Sequence, residues 1–113
     1  MEKLKIVYKA IDDKMGLDIK IIDFRNFSPL FDYFVIASAT SFRNAKAIVE
    51  NVIDEISKEY SDDLKAEYTN DSKWLLVRMQ DIVVHVFVGD ERQNYNLEKL
   101  WKDLPLIETE EWR

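Results

Sequence analysis

His85 is the single imidazole of a 113-residue chain that contains no cysteine. Without a thiolate there is no disulfide, zinc–thiolate site, iron–sulfur cluster or cysteine nucleophile to build. One imidazole also excludes the paired-histidine zinc helix, which needs two ligands on one helical face. Two Gly and two Pro leave no material for a glycine-rich phosphate cradle. The chemistry that remains for His85 is acid–base work, which requires a serine or a carboxylate beside it. The sequence places no such partner next to it. A satisfied, half-buried imidazole therefore stands beside the catalytic reading, and no metal or cofactor is expected.

The setting of His85 is more informative than the residue itself. Trp74 to Val88 reads as two strands, 74–79 and 82–88, joined at Gln80-Asp81. With a two-residue turn, Met79 pairs with Ile82, Val77 with Val84 and Leu75 with Val86. That face is wholly aliphatic and belongs to the core. The opposite face sets Trp74 against Phe87, Leu76 against His85 and Arg78 against Val83. Tryptophan, arginine and histidine on one sheet face resemble the centre of a protein interface. The competing expectation is that a further helix covers this face and Trp74 is ordinary core. Asp81 needs no function as a turn residue, whereas Gln80 suits such a turn poorly.

Elements on either side must hold this hairpin. Leu4, Val7, Tyr8, Ile11 and Met15 recur at helical spacing, and Gly16 is expected to supply the left-handed residue that ends the helix. Residues 18–24 read as a strand, Asn26 to Asp32 as a loop around Ser28-Pro29. Residues 32–38 are too continuously apolar to be half-solvated and read as a central strand. Ser41 has the position of an N-cap. Ala45, Ile48, Val49, Val52, Ile53 and Ile56 then form one stripe of a helix over 42–59. Leu64, Ala66 and Tyr68 alternate with polar residues as a strand does. A last helix is expected from about Leu97 to Leu104, with Leu97, Leu100, Trp101 and Leu104 on one face and Pro105 stopping it. The order α-β-β-α-β-β-β-α predicts an α/β (α+β) fold, a mixed sheet with helices mainly on one face. One domain over 1–113, with a short tail after Pro105, accounts for the length.

Sixteen basic against 22 acidic residues leave a net charge of −6 and a pI near 4.8. Residues 1–60 carry nine basic and ten acidic groups, and residues 61–113 carry seven and twelve. Nucleic-acid affinity rests on Lys and Arg neutralising phosphates, so broad contact with RNA or DNA is disfavoured. The surplus serves solubility or a basic protein partner. No stretch approaches the length of a membrane span. The amphipathic start is not a signal region, and a reducing, cytoplasmic location is expected.

Several segments recur in a fixed order: Asp32-Tyr33-Phe34-Val35-Ile36-Ala37-Ser38, Ser41-Phe42-Arg43, Trp74-Leu75-Leu76, and Asp81-Ile82-Val83-Val84-His85-Val86-Phe87. Arg92, Tyr95, Leu97-Glu98-Lys99-Leu100-Trp101 and Asp103 to Pro105 follow. Together they resemble the ribosomal silencing factors of the Iojap-like family over nearly the whole chain. The resemblance implies a nucleotidyltransferase-like fold without catalytic residues or cofactor. It also implies binding to the fourteenth protein of the large ribosomal subunit, which blocks subunit joining and represses translation, and a homodimer when free. Asp32, Trp74, Asp81, His85 and Tyr95 match the family pattern. Arg78-Met79-Gln80 departs from it, since members carry Asp, an aromatic and Gly or another small residue there. With the hairpin face added, the candidate partner-binding residues are Asp32, Trp74, Leu76, Arg78, Met79, Gln80, Asp81, His85 and Tyr95.

Two other readings compete. A working nucleotidyltransferase needs carboxylates on adjacent strands to hold divalent ions. Ala39-Thr40-Ser41 offers no glycine, no Asp-x-Asp occurs, and neither hairpin strand carries an internal acid. A dimeric adaptor with a non-ribosomal partner fits the same hairpin face, and sedimentation with isolated large subunits separates it from the ribosomal reading.

Overall fold

The computed structural model describes residues 2–112. Helix α1 (Glu2–Asp13) buries Leu4, Val7, Tyr8, Ala10 and Ile11 on one side, as its 3.6-residue spacing requires. It ends in a Schellman turn: the Met15 N–H donates to the Asp12 carbonyl and the Gly16 N–H to the Ile11 carbonyl, at 3.0 and 2.9 Å. The left-handed residue of that turn is Met15, with φ 66°, and not Gly16 as the sequence suggested. Gly16 is needed for room instead, because a Cβ there would collide with Ile11 Cγ2.

Strands β1 (Leu17–Asp23) and β2 (Tyr33–Ala39) pair antiparallel, with an irregularity between Leu17 and Lys20. Helix α2 (Phe42–Glu59) begins where the N-cap was expected, the Ser41 hydroxyl accepting from the Asn44 N–H at 3.0 Å. Strands β3 (Lys65–Glu67), β4 (Trp74–Arg78) and β5 (Ile82–Val88) complete one sheet in the order β1-β2-β5-β4-β3. Only β2 and β5 run parallel; the other neighbours are antiparallel. The fold is therefore mixed α/β, and β2 is a central strand with apolar residues on both sides. Strand β3 is shorter than its alternation suggested, and its three residues are exposed.

The hairpin register is the one its turn dictates. Trp74 faces Phe87, Leu75 faces Val86, Leu76 faces His85, Val77 faces Val84 and Arg78 faces Val83, and the Met79 N–H donates to the Ile82 carbonyl at 3.0 Å. Leu75, Val77, Val84 and Val86 join Val35, Ala37 and the stripes of α1 and α2 in the main core. Helices cover this face, and a register slip of one residue would have inverted it.

The other face is half covered, by elements the sequence did not assign to it. Ile22, Phe24, Ile36 and Phe87 form a second core beneath Phe31, Phe34, Leu97, Trp101 and Leu104. The last helix, expected over Leu97 to Leu104, is shortened to α4 (Leu97–Leu100), and an unforeseen short helix, α3 (Glu91–Tyr95), precedes it; Asn96, with φ 43°, ends α3 while its side chain caps α4. Leu100, expected on the apolar face, is exposed. Residues beyond Pro105 lie along β1. The Asp23 N–H donates to the Pro105 carbonyl, the Ile107 N–H to the Ile21 carbonyl, Leu106 bridges Ile22, and Trp112 packs edge-on against Tyr8.

Candidate functional site

Where the second core stops, the sheet remains open. A shallow groove of about 490 Å³ runs over β4 and β5. Trp74, Leu76, Val83 and His85 make its floor, with Phe34 from β2, and Leu30 and Phe31 wall one side. Leu30 is 81% exposed, an apolar side chain held at the rim. Its N–H is taken by the Ser28 hydroxyl at 3.1 Å, so the short turn around Pro29 presents it rather than burying it.

Trp74 sits half-buried at one end of the groove. It stacks on Phe87 at 5.0 Å and meets Tyr95 at 4.5 Å between ring centroids. Its indole N–H donates to His85 Nδ1 at 3.1 Å. An indole nitrogen can only donate, so Nδ1 must be unprotonated and the neutral ring carries its proton on Nε2. Burial, and secondarily the positive Arg78 guanidinium, push His85 down to about 4, so the ring is neutral near pH 7. Only 5% of His85 is exposed, and Nε2 has no hydrogen-bond partner among the described residues. Its edge meets the Phe34 ring at 4.5 Å. No serine or carboxylate hydrogen-bonds to this imidazole among the described residues, so the geometry holds a donor rather than a base in a relay.

The remaining candidates divide into those on this face and those below it. Leu76 is half-buried in the groove, and Arg78 is exposed at its end, paired across strands with Glu67 at 2.6 Å. Tyr95, 51% exposed, continues the surface past Trp74. Met79 is 7% exposed and belongs to the helix-covered core, so only its edge reaches the groove. The hairpin tip points toward the helices instead. Asp81 pairs with Lys3 at 2.7 Å, and the same ammonium meets Asp62 at 2.5 Å. Burial works against the Lys3 charge, but bonds to Asp62 and Asp81 outweigh it and hold its pKa raised. Asp62 likewise has its carboxyl held low by Lys3 and by the Gln80 N–H, against the effect of burial. Asp32 lies beside the tip, its N–H donating to the Asp81 carbonyl at 2.7 Å.

The sequence reading did not single out Leu30, Phe31, Phe34 or Val83 as groove residues. The signal for Phe34 and Val83 was present, since strand parity sets them on the His85 face and they pair directly across β2 and β5. Arg92, part of the family resemblance but given no role from it, is 8% exposed and ties α3 to α4 through Glu98 at 2.8 Å and to β2 through the Ser38 hydroxyl at 3.0 Å. Among the described residues, no cluster of three or more His, Asp or Glu is placed to hold a metal ion, and no helix is long and apolar enough to cross a membrane.

Comparison with known proteins gives this face a family context. A family model described as ribosomal silencing factor during starvation matches residues 1–113. Ribosomal silencing factor RsfS of Bacillus subtilis is 40% identical over 107 residues, covering 95% of this chain and 91% of that protein. The mouse protein named mitochondrial assembly of ribosomal large subunit protein 1 is 38% identical over 73 residues, 62% of this chain and 32% of its own. A crystal structure of a Chromobacterium violaceum protein superposes with a TM-score of 0.83 at 30% identity, covering 89% of this chain and 84% of the other.

Proposed function

The chain belongs to the ribosomal silencing factor family, and from that premise we propose that it represses translation by binding the large ribosomal subunit through its fourteenth protein. Bound there, it occupies the face where the small subunit docks, and it acts as a steric plug rather than as a catalyst. The observation that carries this reading is the open groove beside Trp74, apolar at its floor and rimmed by the exposed Leu30. An uncovered apolar face of this kind marks a protein contact. The large-subunit name of the mouse relative points the same way. A net charge of −6 favours a basic protein partner and disfavours wide contact with ribosomal RNA.

Trp74 is the principal anchor, with Leu76, Arg78, His85 and Tyr95 around it. Gln80, Asp81 and Asp32 belong to the hairpin tip on the helix side and meet the partner only at the margin of the contact, and Met79 supports the groove from beneath. The whole chain works as one domain, in the cytoplasm and without a cofactor. In isolation it forms a two-fold homodimer whose surface overlaps the partner site.

Light scattering of subunit joining tests the reading, with free large and small subunits and either the wild type or folded Trp74→Ala. Buried aromatic anchors typically lose about 2 kcal/mol or more on truncation, which corresponds to roughly 30-fold weaker binding. The wild type is expected to inhibit joining, and Trp74→Ala to need at least that much more protein for the same effect. Equal inhibition by both at matched low concentration would make Trp74 core and move the functional surface elsewhere. Failure of the wild type to sediment with isolated large subunits would favour the adaptor instead.

A further inference from the structure

The His85–Trp74 pair leaves one polar atom unexplained. Trp74 occupies Nδ1 at 3.1 Å, which fixes the proton on Nε2. That N–H is buried and has no hydrogen-bond partner among the described residues. A buried donor left unpaired destabilises a fold by about 1–3 kcal/mol. Ring contact with Phe34, 4.5 Å away between centroids, does not replace a hydrogen-bond acceptor. An apolar side chain at position 85 would remove this donor but strand the Trp74 indole N–H, whereas an Asn amide oxygen could accept that bond with no donor at the Nε2 position. The donor is kept at a cost to the free chain.

We propose that His85 Nε2–H is a specificity donor for the partner, bonding a carbonyl oxygen that enters the groove with an apolar side chain. The inference rests on the ribosomal reading above and adds to it the chemistry of the contact. Three observations fix what the groove takes. Its floor of Trp74, Leu76, Val83 and Phe34 accepts only an apolar group. His85 lines that floor and offers one neutral donor, so the matching group is an acceptor. Because the indole bond locks the ring, the donor is oriented before the partner arrives, which reduces the ordering loss on binding. The Nε2 atom is buried in the free chain, so the oxygen reaches it only as the side chains packed around the imidazole shift.

A pair of isosteric substitutions separates this role from a purely structural one. Asn places its amide where Nδ1 stands, so His85→Asn keeps an acceptor for Trp74 and removes the donor at the Nε2 position. Gln reaches the Nε2 position, so His85→Gln keeps a donor there. Sedimentation of both variants and the wild type with purified large subunits is the measurement, with near-ultraviolet circular dichroism confirming that each is folded. The expected result is roughly tenfold weaker binding for His85→Asn and binding within about threefold of wild type for His85→Gln. The reverse order, or equal binding by all three, overturns the donor assignment while leaving the ribosomal reading intact. If the wild type itself does not bind large subunits, the ribosomal reading fails and this inference fails with it.

Discussion

At the scale of single residues, the Trp74–His85 bond ties a proton position to a fold. The unfolded chain takes up a proton on this imidazole as the pH drops past 6.5, whereas burial and Arg78 delay the same event in the folded chain to about 4. Between those values the unfolded state holds the extra proton, so stability rises with pH across the window and is lost as pH falls through it. The slope is about 1.4 kcal/mol per pH unit, on the order of 3 kcal/mol in all. Urea unfolding at pH 7 and pH 4.5 is expected to show a larger loss for the wild type than for His85→Gln, which has no group titrating there. Equal losses would mean that His85 is solvated. The sequence allowed both a half-buried imidazole and an interface residue at this position, and the structure makes it buried on the open face. Strand parity gave the face. The depth of burial comes from the rings packed around it, Phe34 at 4.5 Å and Trp74 at 5.7 Å between centroids, which strand parity places on the same face without fixing how closely they pack.

At the scale of elements, two junctions carry testable weight. Gly16 ends α1 by closeness rather than by backbone conformation, since the left-handed residue is Met15. Gly16→Ala is expected to force Ile11 aside and to destabilise by about 1–3 kcal/mol, read from the shift in urea midpoint. The second junction is Lys3, which joins α1 to the segment after α2 through Asp62 and to the hairpin tip through Asp81. Asp81→Lys would set two ammonium groups together. Asp81 is partly exposed, so a loss of about 1 kcal/mol after solvent screening is expected, and high salt should restore part of it. Helix α2 was legible from its period and its Ser41 cap, β2 from its continuous apolar run and the hairpin from its register, whereas the alternation over residues 64–69 overstated β3. The covering of the second face was not legible. Asn26 to Asp32 read as a loop, yet its Phe27 and Phe31 join Phe24, from the end of the expected strand, in a cluster of packed rings, with Phe24 5.2 Å from Trp101 between centroids. The short helix α3 was hidden because five residues are too few for a periodic signal, and its end at Asn96 rests on a left-handed backbone that Asn tolerates.

At the scale of the whole molecule, the negative net charge and the open groove act together on encounter. With a basic partner, long-range attraction would bring it close and the apolar floor would decide whether it stays. The sheet edges set a further limit. Residues 105–107 lie along β1 and take up its outward N–H and carbonyl groups, while β3 at the other end has no strand beyond it. A sheet closed on one side and open on the other can add strands in a single direction. Edge-to-edge pairing of two copies through β3 would consume both open edges and leave two sealed ones. Sedimentation of the free protein over a wide concentration range is therefore expected to plateau at a dimer, and removal of residues 105–112 to allow larger species. If copies do pair through β3, the segment after Pro105 would act as a stop on growth, turning an interaction that could extend without end into one that counts to two.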